Sequence, residues 1–473
     1  MTRRLNLSLG LIAFGLFVAG IGQRGFDNSA SAQARAASAA PQATKAAEPA
    51  RAATPNLRVD PLWPKPLPNH WIIGSVTGVA IDSRDHVFIL QNGANSMTQA
   101  TEMGTGTNPP SAERCCSAAP PVLEFDASGA LVSNWGGSAD GTPWPRCVQG
   151  IAVDPKGNVW IGGNSLEMKG NPPRACQFGG GGSTAVPANA TVQAAIDAMR
   201  ATAAPAGGGR GAGAGSGRGA AAGRGSAAAP AAARGGRGAA AATGAADAMV
   251  LKFSNTGKFL MQIGAPGKIE GPDSKTSLNR PTAMDFDAAA NEVYIADTGN
   301  RRIVVFDMDT GAYKRHWGAY GNKPDMSDLG AYDPGLQPSP QFRYLSCVHI
   351  SKEGMVYVCD KVGDRIQVFQ KDGKYVREML VSNETLGGEN GGSVWDVAFT
   401  KDPQQRYLYV ADGYDKKVIV LRRDTLQVVT TFGQAGRLPG EFVGVGSLAV
   451  DSKGNLYTGE TFEGKRVQKW ALR

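Results

Sequence analysis

From about residue 76 onward, apolar residues fall into short runs separated by polar turns, and one phrase recurs. A run of alternating apolar and small residues leads into an acidic or polar turn with Gly or Asn, and a second, continuously apolar run with an aromatic follows. Six copies can be found: Gly78–Asp82 with Val87–Ile89, Gly150–Asp154 with Asn158–Ile161, Ala283–Asp287 with Val293–Asp297, Cys347–Ser351 with Val356–Asp360, Asp396–Phe399 with Tyr407–Asp412, and Ser447–Asp451 with Asn455–Tyr457. By residue type and turn chemistry each is a β-hairpin. Most copies continue into a third and a fourth run, as in Arg302–Asp307 followed by Ala312–Gly318, or Arg365–Phe369 followed by Lys374–Val376. Four antiparallel strands repeated at a regular spacing predict the blades of an all-β propeller around a central channel. The residues that open the first strands are Thr77, Gln149, Thr282, Ser346, Trp395 and Gly446.

The sixth copy runs out at Lys465–Trp470, its third strand, so its fourth strand must come from elsewhere. The segment Arg58–Gly74 can supply it, because Trp71-Ile72-Ile73-Gly74 resembles the blade endings Trp317-Gly318 and Phe432-Gly433. Closing the ring this way joins the two ends of the propeller, residues 57–473, and removes an open sheet edge. Residues 177–248 interrupt the second blade between Trp160-Ile161 and Met249–Phe253. They are so rich in Gly, Ala, Pro and Arg that they cannot bury enough apolar surface to fold, which predicts a disordered insert on one face. At the N-terminus, Arg3-Arg4, the apolar stretch Leu5–Ile21 and the small residues Ala30-Ser31-Ala32 form an export signal, residues 1–32. A retained membrane anchor is the alternative. An Ala/Pro-rich tether, residues 33–56, follows. The expected location is periplasmic or secreted.

The formal charge of +8 on 473 residues suggests a polyanion partner until its distribution is traced. Residues 1–56 carry Arg3, Arg4, Arg24, Arg35, Lys45 and Arg51 against Asp27 and Glu48. The insert carries Arg200, Arg210, Arg218, Arg224, Arg234 and Arg237 against Asp197 and Asp247. Each segment has a net charge of +4, so the rest of the chain is neutral. The Arg-Gly repeats of the insert have no Phe or Tyr interleaved with them to stack bases, which speaks against nucleic acid. A neutral body suits a small molecule, a peptide or a protein, and a monomer. The six cysteines form no CxxC pair, and export favours disulfides over a metal cluster. Cys347 and Cys359 flank a hairpin around Glu353, counted evenly from its ends, and are placed for a cross-strand bond. Cys115 and Cys116 would need Cys147 and Cys176; the other reading is buried thiols.

The repeated phrase, most plainly Gly150–Ile161, resembles the NHL repeat, over about residues 57–473 less the insert. Arg280–Gly318 and the last blade are most similar to the peptidyl-α-hydroxyglycine α-amidating lyase branch of that superfamily. The resemblance implies a six-bladed propeller, and in that branch a zinc held by one His from each of three blades, just before the first strand. Here Gln149, Ser346 and Gly446 match those positions. Thr77, Thr282 and Trp395 stand at the same depth in the other blades, and Asp396 lies one residue deeper, where alternation turns it to the other face. The branch's catalytic Tyr would align with Asp297-Thr298-Gly299, while Asp412-Gly413-Tyr414 comes two blades later. His70, His86, His316 and His349 all fall elsewhere, and His349 is read as a structural histidine in the core or channel. Neither zinc nor calcium is therefore assigned, and no cofactor is expected. Asp297, Asp360, Asp412 and Glu460 end their second strands at equivalent points. That could mark a calcium ring, but each has a basic residue a few positions on, Arg302, Arg365, Lys417 or Arg466, and is read as a structural pair.

Together these readings predict an exported ligand- or protein-binding scaffold, non-catalytic, with a lyase-like or other metal-assisted enzyme of altered ligands as the alternative. The loops 92–120 and 319–344 and the insert would build the binding face. Trp144, Arg146, Gln149, Arg343, Tyr344, Ser346, Trp395 and Asp396 are the candidate contacts near the channel mouth.

Overall fold

A computed structural model of the chain describes residues 54–97, 102, 116–138, 143–165, 245–386 and 391–473. The expected export signal, all but the last residues of the tether, and positions 177–244 of the expected insert lie outside the described residues. Six four-stranded antiparallel sheets account for nearly all the regular structure described. In chain order the first five blades are Val76–Ile81, Val87–Gln91, Val122–Phe125 and Leu131–Trp135; Val148–Val153, Val159–Gly163, Met249–Phe253 and Phe259–Gly264; Pro281–Asp287, Glu292–Asp297, Arg302–Asp307 and Tyr313–Trp317; Leu345–Ile350, Val356–Asp360, Arg365–Phe369 and Tyr375–Leu380; and Asp396–Phe399, Tyr407–Asp412, Lys417–Arg422 and Val428–Phe432. The sixth takes Val445–Val450, Leu456–Glu460 and Arg466–Leu472 from the C-terminus and Leu57–Asp60 from the N-terminal side. Among the described residues no helix is long and apolar enough to cross a membrane.

The hairpin turns explain why the phrase repeats. Asp154 accepts hydrogen bonds from the backbone N–H of Lys156 and Asn158 and from the indole N–H of Trp160 at 3.0 Å. Asp451 does the same with Lys453, Asn455 and the hydroxyl of Tyr457. Gly157 and Gly454 take the left-handed backbone that closes these turns, at φ +81° and +85°. The second strands that follow are buried along their whole length, which is why they read as unbroken apolar runs. Apolar side chains pack between blades, in six clusters that each join one blade to the next. The last, around Val76, Val87, Phe125, Tyr457 and Val467, joins blade six to blade one.

The ring closes through the N-terminal side, as expected, with the start of the expected stretch Arg58–Gly74 and not with its Trp71–Gly74 end. Leu57–Asp60 pairs antiparallel with Arg466–Leu472, Leu57 opposite Leu472 and Asp60 opposite Lys469. Trp71–Ile72 instead makes a short parallel pair with Ser117–Ala118. Pro61, Pro64, Pro66 and Pro68 separate the two stretches, so one strand cannot contain both, and the likeness of Trp71–Gly74 to a blade ending misleads. Between them Trp63, 5% exposed, inserts beside Phe125 and Tyr457 and seals the joint between blades six and one.

The acidic residues that end the second strands pair as the sequence implies. Arg302 Nε donates to Asp297 Oδ2 at 2.8 Å and Arg365 Nε to Asp360 Oδ2 at 3.0 Å; Arg466 Nε donates to Glu460, and Lys417 lies 3.4 Å from Asp412. Each arginine also reaches carbonyls of the connection arriving from the previous blade: Arg302 those of Pro272, Ser274 and Ser277, Arg365 those of Ser339 and Gln341, Arg466 those of Arg437 and Glu441. The carboxylates accept from the same connections, Asp360 from the N–H groups of Arg343 and Tyr344.

Two outcomes follow from this architecture. Asp297→Ala strands the wholly buried Arg302 and is expected to cost about 3–5 kcal/mol in urea unfolding, whereas Asp412→Ala, whose Lys417 is 29% exposed, costs clearly less. Removing residues 54–60 opens blade six and lowers the melting temperature by about 5 °C or more; an unchanged melt would contradict the role given to that strand.

Candidate functional site

In every blade the first strand starts at the end of the sheet where the chain leaves Gln91, Gly163, Trp317 and Leu380, so the described parts of the connections that follow these residues begin on one face. At the centre of that face a small cavity of about 40 Å³ is lined by Val76, Thr77, Gln149, Tyr344, Ser346, Lys361, Trp395, Gly446, Thr461 and Phe462. Five of the six aligned positions that open the first strands meet there. The sixth, Thr282, turns its hydroxyl to the carbonyl of Leu345, at 2.8 Å.

The candidate contacts divide. Gln149, Tyr344, Ser346 and Trp395 line the mouth. Trp144 packs against Trp135 and Phe253 in the cluster between blades one and two. Arg146 reaches the Ser165 hydroxyl, and its backbone N–H donates to Asp247. Arg343 stacks on Tyr332 and donates to the carbonyls of Leu329, Gly330 and Ala331, away from the mouth. Asp396 lies within the channel. Alternation would point it away from Trp395, but the Trp395 backbone N–H donates to the Ala411 carbonyl while Asp396 is also paired with Ala411, and this irregularity breaks the alternation.

Deeper in the channel, blades three, four, five and six are stitched together. His349 Nε2 donates to Asp396 Oδ1 at 2.8 Å, and its Nδ1 lies 3.9 Å from Asp285 Oδ2. Asp396 Oδ2 accepts from Leu448 N–H and Asp285 Oδ2 from Ile350 N–H. Burial opposes the charge on His349, but Asp396 and then Asp285 outweigh it and hold its pKa above the ordinary value. Burial raises that of Asp285. The histidine is thus engaged by neighbours, as the sequence suggests.

Two groups of side chains among the described residues have ligand atoms close enough for a metal. In one, Cys347, His349 and Asp396, the sulfur is bonded to Cys359, the cross-strand disulfide expected from the hairpin, so it offers no thiolate. In the other, Asp82, His86 and Glu124, the Arg84 guanidinium already bridges both carboxylates, 2.6 Å from Asp82 and 2.9 Å from Glu124. Cys116 and Cys147 are disulfide-bonded as well.

Lys361, Thr461 and Phe462 are mouth residues that the first strands alone do not reveal. They follow directly on Asp360 and Glu460, and reading one position past each second strand would have found the first two. Asp247, at the far end of the expected insert, is 2% exposed and belongs to the body. It accepts from the N–H groups of Arg146, Cys147 and Ser165, the role Asp360 plays in blade four, because the second strand of blade two ends in Gly163.

The connection 381–395, which carries Trp395 to the mouth, is held by Asp364. Its Oδ1 accepts from Ser393 N–H at 2.7 Å, while its Oδ2 is buried without a hydrogen bond. Burial, reinforced by the charges of Asp412 and Asp360, pushes its pKa up to about 7. Such an acid keeps its proton in the fold after the unfolded chain, at about 3.9, has lost it. Its contribution to stability is therefore full below pH 4, falls as pH rises to about 7, and is lost above that. Asn suits the left-handed backbone here, φ +48°. Asp364→Asn is expected to melt higher than the parent at pH 8, with the gap narrowing toward pH 4; parallel pH profiles would refute the assignment.

No protein-family model matches the chain. NHL repeat-containing protein 3 from Homo sapiens is 29% identical over 180 residues, 38% of this chain and 44% of that protein. The Mus musculus protein of the same name is 28% identical over an equal length. The chain thus spans less than half the length of these curated relatives. Among solved structures, a streptogramin B lyase aligns with a TM-score of 0.41 at 10% identity, over 88% of this chain and 98% of that one. Virginiamycin B lyase from Staphylococcus aureus aligns with a TM-score of 0.39 at 8% identity, over 88% and 89%. The six blades closed into a ring make this chain a six-bladed β-propeller, and its recurring hairpin phrase and the partial sequence match make it similar to NHL repeat-containing proteins.

Proposed function

We propose that this chain is an exported, non-catalytic binding scaffold that receives a peptide, protein or small-molecule partner on the loop-bearing face, around the channel mouth. The observation that carries this reading is the set of side chains gathered there. Thr77, Gln149, Ser346 and Thr461 offer hydroxyl and amide groups, and Tyr344, Trp395 and Phe462 offer aromatic surface. Such groups hydrogen-bond and stack on a partner but make a poor ligand set for a catalytic metal. The disulfide-bonded cysteines suit a periplasmic or secreted setting.

A metal-assisted, lyase-like activity with altered ligands is the second reading, favoured by His349 standing between Asp396 and Asp285 in the channel. Stoichiometric zinc in the purified chain that disappears in His349→Ala would support it over the first. For the scaffold, the test is capture of partners by the full chain. The paired change Gln149→Ala and Trp395→Ala is expected to weaken capture by about tenfold or more, and Val132→Ala, on an exposed outer strand, to leave it intact. Capture that survives the mouth substitutions would move the binding surface elsewhere.

A further inference from the structure

The mouth holds a feature that general partner binding does not require. The Lys361 ammonium lies 4.3 Å from the centre of the Tyr344 ring and 4.4 Å from that of Trp395, so one cation is shared by two aromatic faces. Neither ring is placed by the lysine alone. The Trp395 indole donates to the carbonyl of Gly392 at 2.7 Å and meets the edge of Phe462, ring centres 5.4 Å apart. The Tyr344 hydroxyl accepts from the Asn164 side chain at 2.9 Å, and the Tyr344 backbone N–H is held by Asp360. Lys361 is tied at its backbone, where its N–H donates to the Tyr344 carbonyl, while its head group reaches the cavity on a flexible four-carbon stem. The lysine is 7% exposed, and all three aromatic residues line the same opening.

We propose that Tyr344 and Trp395, with Phe462 beside them, form a binding cage for an alkylammonium group, and that Lys361 is its built-in occupant. Aromatic faces attract a cation through the ring quadrupole, and most effectively when water is kept out. An incoming ammonium brings the same charge that Lys361 withdraws, so exchange leaves no buried charge uncompensated, whatever else surrounds the site. A tethered occupant competes at high effective concentration and lowers the apparent affinity of a free guest. The cage would then select a guest held by further contacts around the mouth. This deepens the scaffold reading above and rests on the mouth being its binding site.

The test uses the full chain with choline and Nε-trimethyllysine amide as probes, followed by tryptophan fluorescence and calorimetry. Lys361→Met removes the ammonium from between the two rings without adding charge, leaving the Arg280 guanidinium 5.5 Å from the Tyr344 ring as in the parent chain, and is expected to bind choline saturably, about tenfold or more tighter than the parent chain. Adding Trp395→Leu should abolish that binding, and the uncharged isostere 3,3-dimethylbutanol should not bind. Tighter binding of trimethyllysine amide than choline would identify a peptide side chain as the guest, and the reverse a free small molecule. Should Lys361→Met fail to fold, Lys361→Gln serves in its place. A folded variant that takes choline no better than the parent, or takes the neutral isostere equally well, overturns the proposal. Choline binding that fails while partner capture still depends on Trp395 removes the cage alone; capture that ignores the mouth while choline binds removes the partner reading alone.

Discussion

A carboxylate buried at the end of a blade's second strand must be answered where it stands, and the way it is answered organises the whole face on which the channel opens. Asp297 and Asp360 are wholly buried, and each is met by an arginine from the start of the next strand, itself buried. The guanidinium has donors to spare, and spends them on carbonyls of the connection from the previous blade, while the carboxylate takes N–H groups of that same connection. A long irregular segment is thereby given hydrogen-bond partners without secondary structure of its own. Breaking such a pair would leave one buried charge with neutral hydrogen-bond partners but no counter-charge, which makes the arrangement hard to lose from one side only.

Blades that lack the pair show how strongly the position needs filling. In blade one Gln91 does the work as a neutral group, accepting from Gly74 and Gly93 and donating to the carbonyls of Ala119 and Pro120. In blade two the strand ends in Gly163, and Asp247 arrives from far along the chain to accept from the N–H groups of the incoming connection. Blade five is held by Asp412 and, across the joint with blade four, by Asp364, whose second oxygen goes unanswered. The connection that brings Trp395 to the mouth therefore rests on an anchor whose pKa burial raises to about 7.

Much of the fold was legible because a propeller repeats its local chemistry. The hairpin phrase located all six blades, and even counting inward from the ends of one hairpin located the disulfide, since Cys347 and Cys359 do stand opposite each other in register. The acid–base spacing found the buried pairs for the same reason: both partners lie within a few residues of one another. The aligned first-strand positions identified five residues of the mouth. Legibility ended where partners are distant in sequence or where the backbone departs from alternation. A register shift recurs at the start of the first strand in the other five blades, and strict alternation, which ignores it, misplaces Asp396; nothing near Trp144 says that a neighbouring blade will cover it.

By itself, then, the sequence determined the blade, its number of repeats, the hairpin turns and the closing of the ring from both ends, because strand alternation, turn residues and short-range ion pairs are written locally. Only the tertiary structure decided which N-terminal segment completes blade six, since prolines and the insertion of Trp63 set that choice through packing between blades. It also decided what the mouth contains. Lys361, Tyr344 and Trp395 come from two blades, and an ammonium between two aromatic faces depends on ring positions that hydrogen bonds across the assembled face hold in place.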